Sequence, residues 1–332
     1  MSTVQQPSPA TRRILSICIP TYNRADCLDD CLKSLEIATR KCRDRVQIVI
    51  SDNASTDHTP DVVKRWSSAL PILSVRNPTN IGGERNFFSS ARHATAEYVW
   101  IFGDDDEFGD SAVTEFLRYI DQDYDIIVAN YSSWSKDMQT VISQQAMSTK
   151  FLEDYTDPDV ILSAFGILLG YISSVVVRRS ILLSVPASEY EVFVPYGFPF
   201  PFSVYCGLPR PTRFRYIAEP LFRRREHNSD LLVQCHTTWL KYFIEGPALV
   251  FEALQRKGFS ERAVLLAKTN NLRDFGIRNV VAGFDRINRR ATRRMMYQHY
   301  SASWRFWLVW LPFLMLPATV VGAAVKLRKR LR

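Results

Sequence analysis

Along the first third of the chain, short apolar runs alternate with stretches whose apolar residues recur every three or four positions. Residues 14–19 form one such run, closed by Pro20, and read as a buried strand. Residues 25–38 follow, with Leu28, Cys31, Leu32 and Leu35 at helical spacing. Residues 46–50 predict a second buried strand, closed by Ser51-Asp52-Asn53. Thr59-Pro60 has the form of a helix cap followed by proline at the first helical position, and that helix should reach about Trp66. A third strand is expected at 72–75, a helix at 82–94 and a fourth strand at 98–102. The fourth strand runs directly into Gly103-Asp104-Asp105-Asp106. A helix at 111–120 and a strand at 125–129 continue the alternation.

Strands alternating with helices imply an α/β fold, with a mainly parallel sheet covered by helices on both faces. Ligands of such sheets bind at the carboxyl ends of the strands. Each polar cluster noted above falls at such an end. After residue 131 the pattern loosens. Residues 172–177 and 215–222 read as strands, and 185–215, rich in proline and aromatics, as largely irregular. Residues 230–283 return to helical periodicity. The expected organisation is a ligand-binding half at 1–130, a second half at 131–229, a basic helical region at 230–303 and a C-terminal segment at 304–332.

Composition is that of a globular protein, 46% apolar and 23% charged. The net charge of +8 suits an anionic partner, and its placement narrows the choice. Arginine crowds the last third, and a basic cluster closes the chain from Lys326 to Arg332. Between them lies an uncharged apolar run of 20 residues, 306–325, interrupted by Pro312 and Pro317. Its length just suffices to cross a bilayer, but two prolines argue against a straight span. An anchor lying in the membrane surface, with arginines on anionic headgroups, is the favoured reading over a buried terminal helix. No zinc motif, recognition helix or aromatic RNA-binding pattern supports a nucleic-acid role. Six cysteines form no CxxC pair and imply no disulfide framework, which fits a reducing cytoplasm. Residues 1–13 carry no signal-peptide core.

Three adjacent carboxylates at the end of a buried strand repel one another and require an offset. Carboxylate oxygens are hard ligands suited to Mg²⁺ or Mn²⁺, and Mg²⁺ typically takes one or two carboxylates and then substrate phosphates. A solvated acidic turn before the next helix would satisfy the same pattern, and on the triplet alone the two readings stand level. Pro20, Thr21, Tyr22 and Asn23 form a turn in which Tyr22 can stack on a base and Thr21 can bond a ribose. The plain reading there is a strand-to-helix connection with Asn23 as cap. Asp52 and Asn53 suit a base N–H, although turns rich in Asp and Asn are common. Asn80-Ile81-Gly82-Gly83 opens a helix whose positive end favours phosphate, and Arg85 would pair there with phosphate or with the aspartates. Arg223-Arg224-Arg225 and His227 follow a strand, where His227 would complete a metal shell.

Together and in this order, these motifs resemble family 2 glycosyltransferases of the GT-A fold, most clearly over residues 14–110. Residues 16–24 match the family's opening strand and Pro-Thr-Tyr-Asn turn, 52–57 its Asp-Asn-x-Ser-x-Asp pattern, 80–82 its Asn-x-Gly segment and the triplet its DXD site. The Gly-Asp-Asp-Asp form and the 172–178 segment resemble abequosyltransferase-like members. The resemblance implies a Rossmann-like GT-A sheet with a helical C-terminal extension, and a nucleotide-sugar donor held near Tyr22, Asp52 and Asp105. It also implies Mg²⁺ or Mn²⁺ on Asp106 with Asp104, and transfer of one sugar by inverting displacement to a polyprenyl-linked glycan acceptor at the cytoplasmic face of the inner membrane. The acceptor half lacks the Glu-Asp pair whose aspartate serves many members as base, which leaves Glu191, with Glu189, as the nearest carboxylate. A sugar nucleotidyltransferase is the first alternative, but it would need a glycine-rich loop where Pro20-Thr21-Tyr22-Asn23 stands. A non-catalytic membrane-bound nucleotide-binding module is the second.

Overall fold

The computed structural model describes residues 13–226, 240–274 and 288–316. Its centre is a ten-stranded mixed sheet with the main order β3-β2-β1-β4-β9-β6-β10-β5. The first half matches the expected pattern closely. Strand β1 (Leu15–Thr21) pairs in parallel with β2 (Val46–Asp52) and β4 (Tyr98–Ile101), and β2 pairs in parallel with β3 (Ile72–Arg76). Every residue of β1 and β2 is buried, as strands covered on both faces must be. Helices α1 (Ala25–Thr39), α2 (Thr59–Trp66) and α3 (Gly83–His93) connect them. Helix α1 buries Leu28, Cys31, Leu32 and Leu35, its predicted stripe.

Strand β1 does not end at Pro20 but at Thr21. β4 stops at Ile101 opposite Cys18, so beyond Cys18 strand β1 is paired with β2 alone. A missing N–H is tolerated on an unpaired side. The predicted helix caps also shift. The cap of α2 is His58 and that of α1 is Arg24, neither through its own side chain. Asp57 accepts from Ala25 N at 3.1 Å and from Thr59 N at 3.0 Å, and so serves the first turns of both helices.

The second half departs further from a parallel sheet. After the short strand β5 (Glu107–Phe108), helix α4 (Ala112–Ile120) leads to β6 (Ile126–Trp134). β7 (Val141–Ser143) and β8 (Asp154–Tyr155) lie off the main path, and α5 (Pro158–Phe165) follows. Strand β9 (Val175–Arg178) is preceded by a 3₁₀ turn at Ile172–Ser174, so the strand expected at 172–177 begins three residues late. It inserts antiparallel between β4 and β6. Strand β10 (Phe214–Arg225) runs parallel to β6 and antiparallel to β5.

A short helix α6 (Arg179–Leu182) follows β9, and the stretch expected to be irregular, 185–215, holds α7 (Ala187–Tyr190), a 3₁₀ turn at Glu191–Tyr196 and α8 (Pro199–Gly207). α8 opens with proline in its first turn, where no N–H is required, and Pro199–Tyr205 are all buried. A helix buried on all sides shows no amphipathic period, which hid it in the sequence.

Helices Gly246–Arg256 and Glu261–Asp274 bear out the helical periodicity read at 230–283 where that stretch is described, and a further helix, Arg289–Tyr300, lies beyond it. Glu261–Asp274 packs on α5, where Asn270 donates to the Ser163 carbonyl at 2.9 Å. A second apolar cluster, including Leu272, Met296, Tyr300, Phe306, Trp310 and Leu314, joins these helices to the last turns. Over its described part the run at 306–325 is continuously helical and ends early. A π-turn at Phe306–Trp310 and a helix at Leu311–Met315 end at Leu316. Among the described residues no helix is long and apolar enough to cross a membrane.

Candidate active site

The carboxyl ends of β1, β2 and β4 lie side by side, with Thr21 opposite Asp52 in register. They bring three of the sequence motifs to one edge of the sheet. Asn23 adopts a positive φ of 50°, a conformation asparagine tolerates better than most residues. It caps no helix. Its Oδ1 accepts from Thr56 N at 2.7 Å while its own N–H reaches Ser55 Oγ at 2.9 Å. This crosslink holds the two turns together and leaves the Tyr22 ring exposed (41%) between them.

Asp52 and Asn53 are buried and engaged. Asp52 Oδ1 accepts from Ser55 N at 2.8 Å, and Oδ2 is paired with Arg76. Asn53 donates to Asn80 Oδ1 at 2.8 Å and accepts from Asn77 Nδ2 and Ile81 N, each at 3.0 Å. It thereby fixes the Asn80-Ile81-Gly82 loop against β2. Gly82 has φ 88°, a conformation that favours glycine at the entry to α3.

The aspartate triplet sits where β4 gives way to β5. Arg24, the last residue of the 16–24 motif, links the first turn to it. Its Nη1 lies 3.1 Å from Asp104 Oδ1 and 2.9 Å from Asp105 Oδ2. Asp106 is held from two distant segments. Oδ2 accepts from Tyr171 Oη at 2.5 Å and Ser173 Oγ at 2.7 Å, and Oδ1 accepts from Arg225 N at 3.2 Å. Ser173 Oγ also accepts from Gly103 N at 2.9 Å. A Cβ on Gly103 would lie 3.0 Å from Asp105 Oδ1 and 3.2 Å from Asp106 Oδ2, so the triplet requires a residue without a side chain before it.

Burial, and next the charge on Asp105, push the Asp104 and Asp106 carboxyls above the usual carboxylate range. Arg24 and the nearby Thr21 hydroxyl oppose the shift at Asp104; Tyr171, Ser173 and the Arg225 N–H oppose it at Asp106. The Thr21 hydroxyl is buried and makes no hydrogen bond of normal geometry. Beneath the triplet, burial and the same carboxylates raise the Cys31 thiol, which stays protonated and inert.

Among the described residues, no three acidic, histidine or cysteine side chains converge into a closed metal cage. The donor set fits a cation completed by a ligand instead. Burial and the neighbouring Asp105 make the charged forms of Asp104 and Asp106 costly, a cost that a divalent cation would relieve, and Mg²⁺ or Mn²⁺ commonly combines one or two carboxylates with phosphate oxygens. Asp104 and Asp106 are the residues that would hold it. His227 lies outside the described residues.

Two expected roles look different in the structure. Arg85 does not reach the aspartates. Its guanidinium grips Glu191, with Nε 3.1 and 3.0 Å from the two carboxylate oxygens and Nη2 2.7 Å from Oε2. Glu191, expected as the base, thus presents both oxygens to an arginine, and Glu189 is paired with Lys257. Of the arginine run after β10, Arg225 is bound to Asp30, to the Asp105 carbonyl and to the Lys136 carbonyl, which makes it a strut of the triplet. Tyr171 and Ser173 were given no role from the sequence, although 172–178 was a motif segment, and Arg225 was expected with its neighbours to meet the diphosphate rather than to brace the triplet.

The family model for glycosyl transferase family 2 matches residues 16–180. Among curated proteins, an abequosyltransferase of Salmonella typhimurium is 28% identical over 230 residues, covering 65% of this chain and 68% of that protein. Among solved structures, S. aureus TarS (residues 1–349) superposes with a TM-score of 0.65 at 15% identity, over 86% of this chain and 81% of that one. The mannosyltransferase PcManGT from Pyrobaculum calidifontis, solved with GDP-Man and Mn²⁺, gives 0.52 at 16% identity over 97% of this chain and 88% of that one. These likenesses show the GT-A fold.

Proposed function

Residues 16–180 are a glycosyl transferase family 2 domain, and from that premise we propose that the protein moves one sugar from a nucleoside diphosphate sugar to an acceptor hydroxyl. The acceptor is a polyprenyl-linked glycan in O-antigen-like cell-surface polysaccharide assembly. The observation that carries the reading is the meeting of the Tyr22 turn, the Asp52-Asn53 turn and the buried triplet along one sheet edge, tied by Arg24. TarS is also solved with UDP-GlcNAc, in keeping with a nucleotide sugar as donor.

Tyr22 stacks on the base, and Asn53 and Asp52 shape the wall beside it. Asp105 faces the ribose or sugar, and Asp104 and Asp106 are the residues that would hold Mg²⁺ or Mn²⁺. The cation supplies charge neutralisation for the leaving group. Arg85 exchanges Glu191 for donor phosphate, an exchange that costs little because both partners are more than a third exposed and such pairs contribute about 0–1 kcal/mol. Glu191, released, takes the proton of the acceptor hydroxyl. The acceptor oxygen bonds to the anomeric carbon from the face opposite the leaving group, and the bond to the diphosphate breaks with its electron pair. Configuration inverts.

The C-terminal surface supports attachment at the cytoplasmic face of a membrane. Trp304, Trp307, Leu308 and Met315 are exposed together, beside the arginines of Arg289–Tyr300.

Titration calorimetry with UDP-, GDP-, CDP- and dTDP-sugars, with and without Mn²⁺, tests the donor assignment. One nucleotide series should bind, and binding should weaken when metal is withheld. Metal-independent binding, or none to any activated sugar, overturns it.

A further inference from the structure

A chain of buried amides joins the end of β2 to the first turns of α3. Ser51, Asn53, Asn77 and Asn86 are all buried. Asn86 Oδ1 accepts from Ser51 Oγ at 2.7 Å and from Asn77 Nδ2 at 2.9 Å, while its Nδ2 donates to the Ser51 carbonyl at 2.8 Å. Asn77 Nδ2 donates a second time, to Asn53 Oδ1 at 3.0 Å. Asn53 carries the chain on to Asn80 Oδ1, which also accepts from Gly82 N at 2.9 Å. The backbone N–H of Asn77 adds a bond to the Asp52 carbonyl at 2.8 Å.

The backbone sets the direction of each amide. Ile81 N and Gly82 N can only donate, so the atoms of Asn53 and Asn80 that face them are carbonyl oxygens. The Ser51 carbonyl can only accept, so Asn86 turns its NH₂ toward it. Asn77 then commits both amide hydrogens, one to each neighbouring oxygen. One arrangement satisfies the whole chain, and displacing any member leaves buried polar groups without partners.

Fastening α3 to the sheet does not require such a chain. Phe88 and Ala91 of the same helix are buried in the apolar core and would hold it there. Apolar attraction is non-directional, whereas a fully satisfied polar network specifies one geometry. That geometry matters at the two ends of the chain. One end is Asn53, beside Asp52 in the wall assigned to the base. The other is Asn86, whose neighbour Arg85 is exposed and assigned to donor phosphate.

We propose that Asn86 and Asn77 are positioning residues that hold the start of α3, and with it Arg85, at a fixed distance from the base wall. Arg85 then meets the phosphate of a nucleoside diphosphate whose base lies at Tyr22 and Asp52. Neither amide touches the donor. The inference rests on the glycosyl-transfer reading above and deepens it.

A double-mutant cycle, read by titration calorimetry on the full chain, tests the coupling. The probes are UDP, GDP, CDP and dTDP with Mn²⁺, and the one that binds the wild type most tightly is carried through. Arg85→Gln should weaken its binding about fivefold or more in the wild-type background. In an Asn86→Leu background the same change should cost less than about twofold, because Arg85 is no longer held where the phosphate lies. Asn77→Ser, a milder cut in the middle of the chain, should give the same loss of coupling. Thermal unfolding shows whether each variant is folded. A structural role alone would lower stability and leave the Arg85 effect at its wild-type size, so additive effects overturn the proposal. Failure of both amide variants to fold overturns it as well, and makes the network an element of stability. If Arg85→Gln has no effect in the wild type, there is nothing to position and the proposal falls, while nucleotide binding keeps the transferase reading. If none of the four nucleotides binds, the transferase reading itself falls.

Discussion

The Tyr171 hydroxyl donates a 2.5 Å hydrogen bond to Asp106 across 65 positions of sequence. With Ser173 it favours the charged form of a carboxylate that burial would otherwise keep protonated. Tyr171→Phe keeps the ring and removes that donor. A hydrogen bond to a charged group contributes about 1.5–3 kcal/mol, so kcat for transfer should fall roughly 10- to 100-fold. The thermal unfolding midpoint should fall by only a few degrees, since the ring still fills its site. Wild-type kcat in this variant would remove Tyr171 from the site.

Gly103→Ala tests the same carboxylates from the other side. The new methyl would meet Asp105 Oδ1 at 3.0 Å, Asp106 Oδ2 at 3.2 Å and Ser173 Oγ at 3.4 Å. These are side-chain atoms and will shift by tenths of an ångström, so the fold survives. Small displacements of reacting groups are costly in rate, and transfer should drop about tenfold or more. The check is kcat beside an unfolding curve. A variant with full activity means the carboxylates have slack that the packing does not suggest.

The Arg85–Glu191 pair separates two roles through kcat and KM. Glu191→Gln removes the base and also the carboxylate that competes with donor phosphate for Arg85. It should lower kcat by about 10²–10⁴ without raising the donor KM. Arg85→Gln should act on the donor KM. If Glu191→Gln leaves kcat within tenfold, the glutamate is a tether alone and the base lies elsewhere.

These experiments probe contacts of very different legibility. β1, β2 and β4 could be read because each is a short β-branched run bounded by turn residues, and Asp104–Asp106 could be placed because they follow such a run directly. The partners of Asp106 could not. Tyr171, Ser173 and Arg225 reach it only because β9 inserts antiparallel beside β4 and β10 folds back along β5, pairings over more than 60 residues that no local period encodes. Helix α8 escaped for the opposite reason, since burial on every side erases the alternation that marks a helix. Arg85 was expected to meet phosphate or the aspartates, but the partner it rests on, Glu191, sits 106 positions away.

Glu252 predicts how acid affects the C-terminal helices. Burial disfavours its charge, but hydrogen bonds from His299 (2.9 Å) and Lys268 (2.7 Å), with their charges, outweigh it and hold the carboxyl down to about 2. A group depressed in the folded state contributes stability above its unfolded value and loses it as pH falls through the folded one. The contribution should therefore be complete above about pH 4.5 and disappear between there and pH 2. Glu252→Gln should cost roughly 1–3 kcal/mol at neutral pH and flatten that segment of the stability profile. Urea unfolding followed at several pH values reads both, and an unaltered acid slope in the variant refutes the assignment.

The surface formed by Arg289–Tyr300 and residues 304–316 should dock on anionic lipid. Arg290, Arg294 and Tyr297 are exposed and share one face of Arg289–Tyr300, as helical spacing requires. Tyr297 meets the Trp307 ring at 6.0 Å, and the exposed Trp304 and Leu308 (72%) extend the apolar area. Arg289 and Arg293 donate to the Leu316 and Leu314 carbonyls, which keeps positive charge at the edge of that area. Aromatic rings beside arginine suit the headgroup boundary, where apolar burial adds to charge attraction. Sedimentation with phosphatidylglycerol vesicles should pull the protein down, and neutral phosphatidylcholine vesicles should do so far less. Leu308→Ser should weaken partitioning about tenfold, from the 1.5–3 kcal/mol of burying such a side chain. Arg290→Gln with Arg294→Gln should reduce the salt dependence, because only the charge component is screened. Partitioning that ignores both sets of changes would place the membrane contact on another surface.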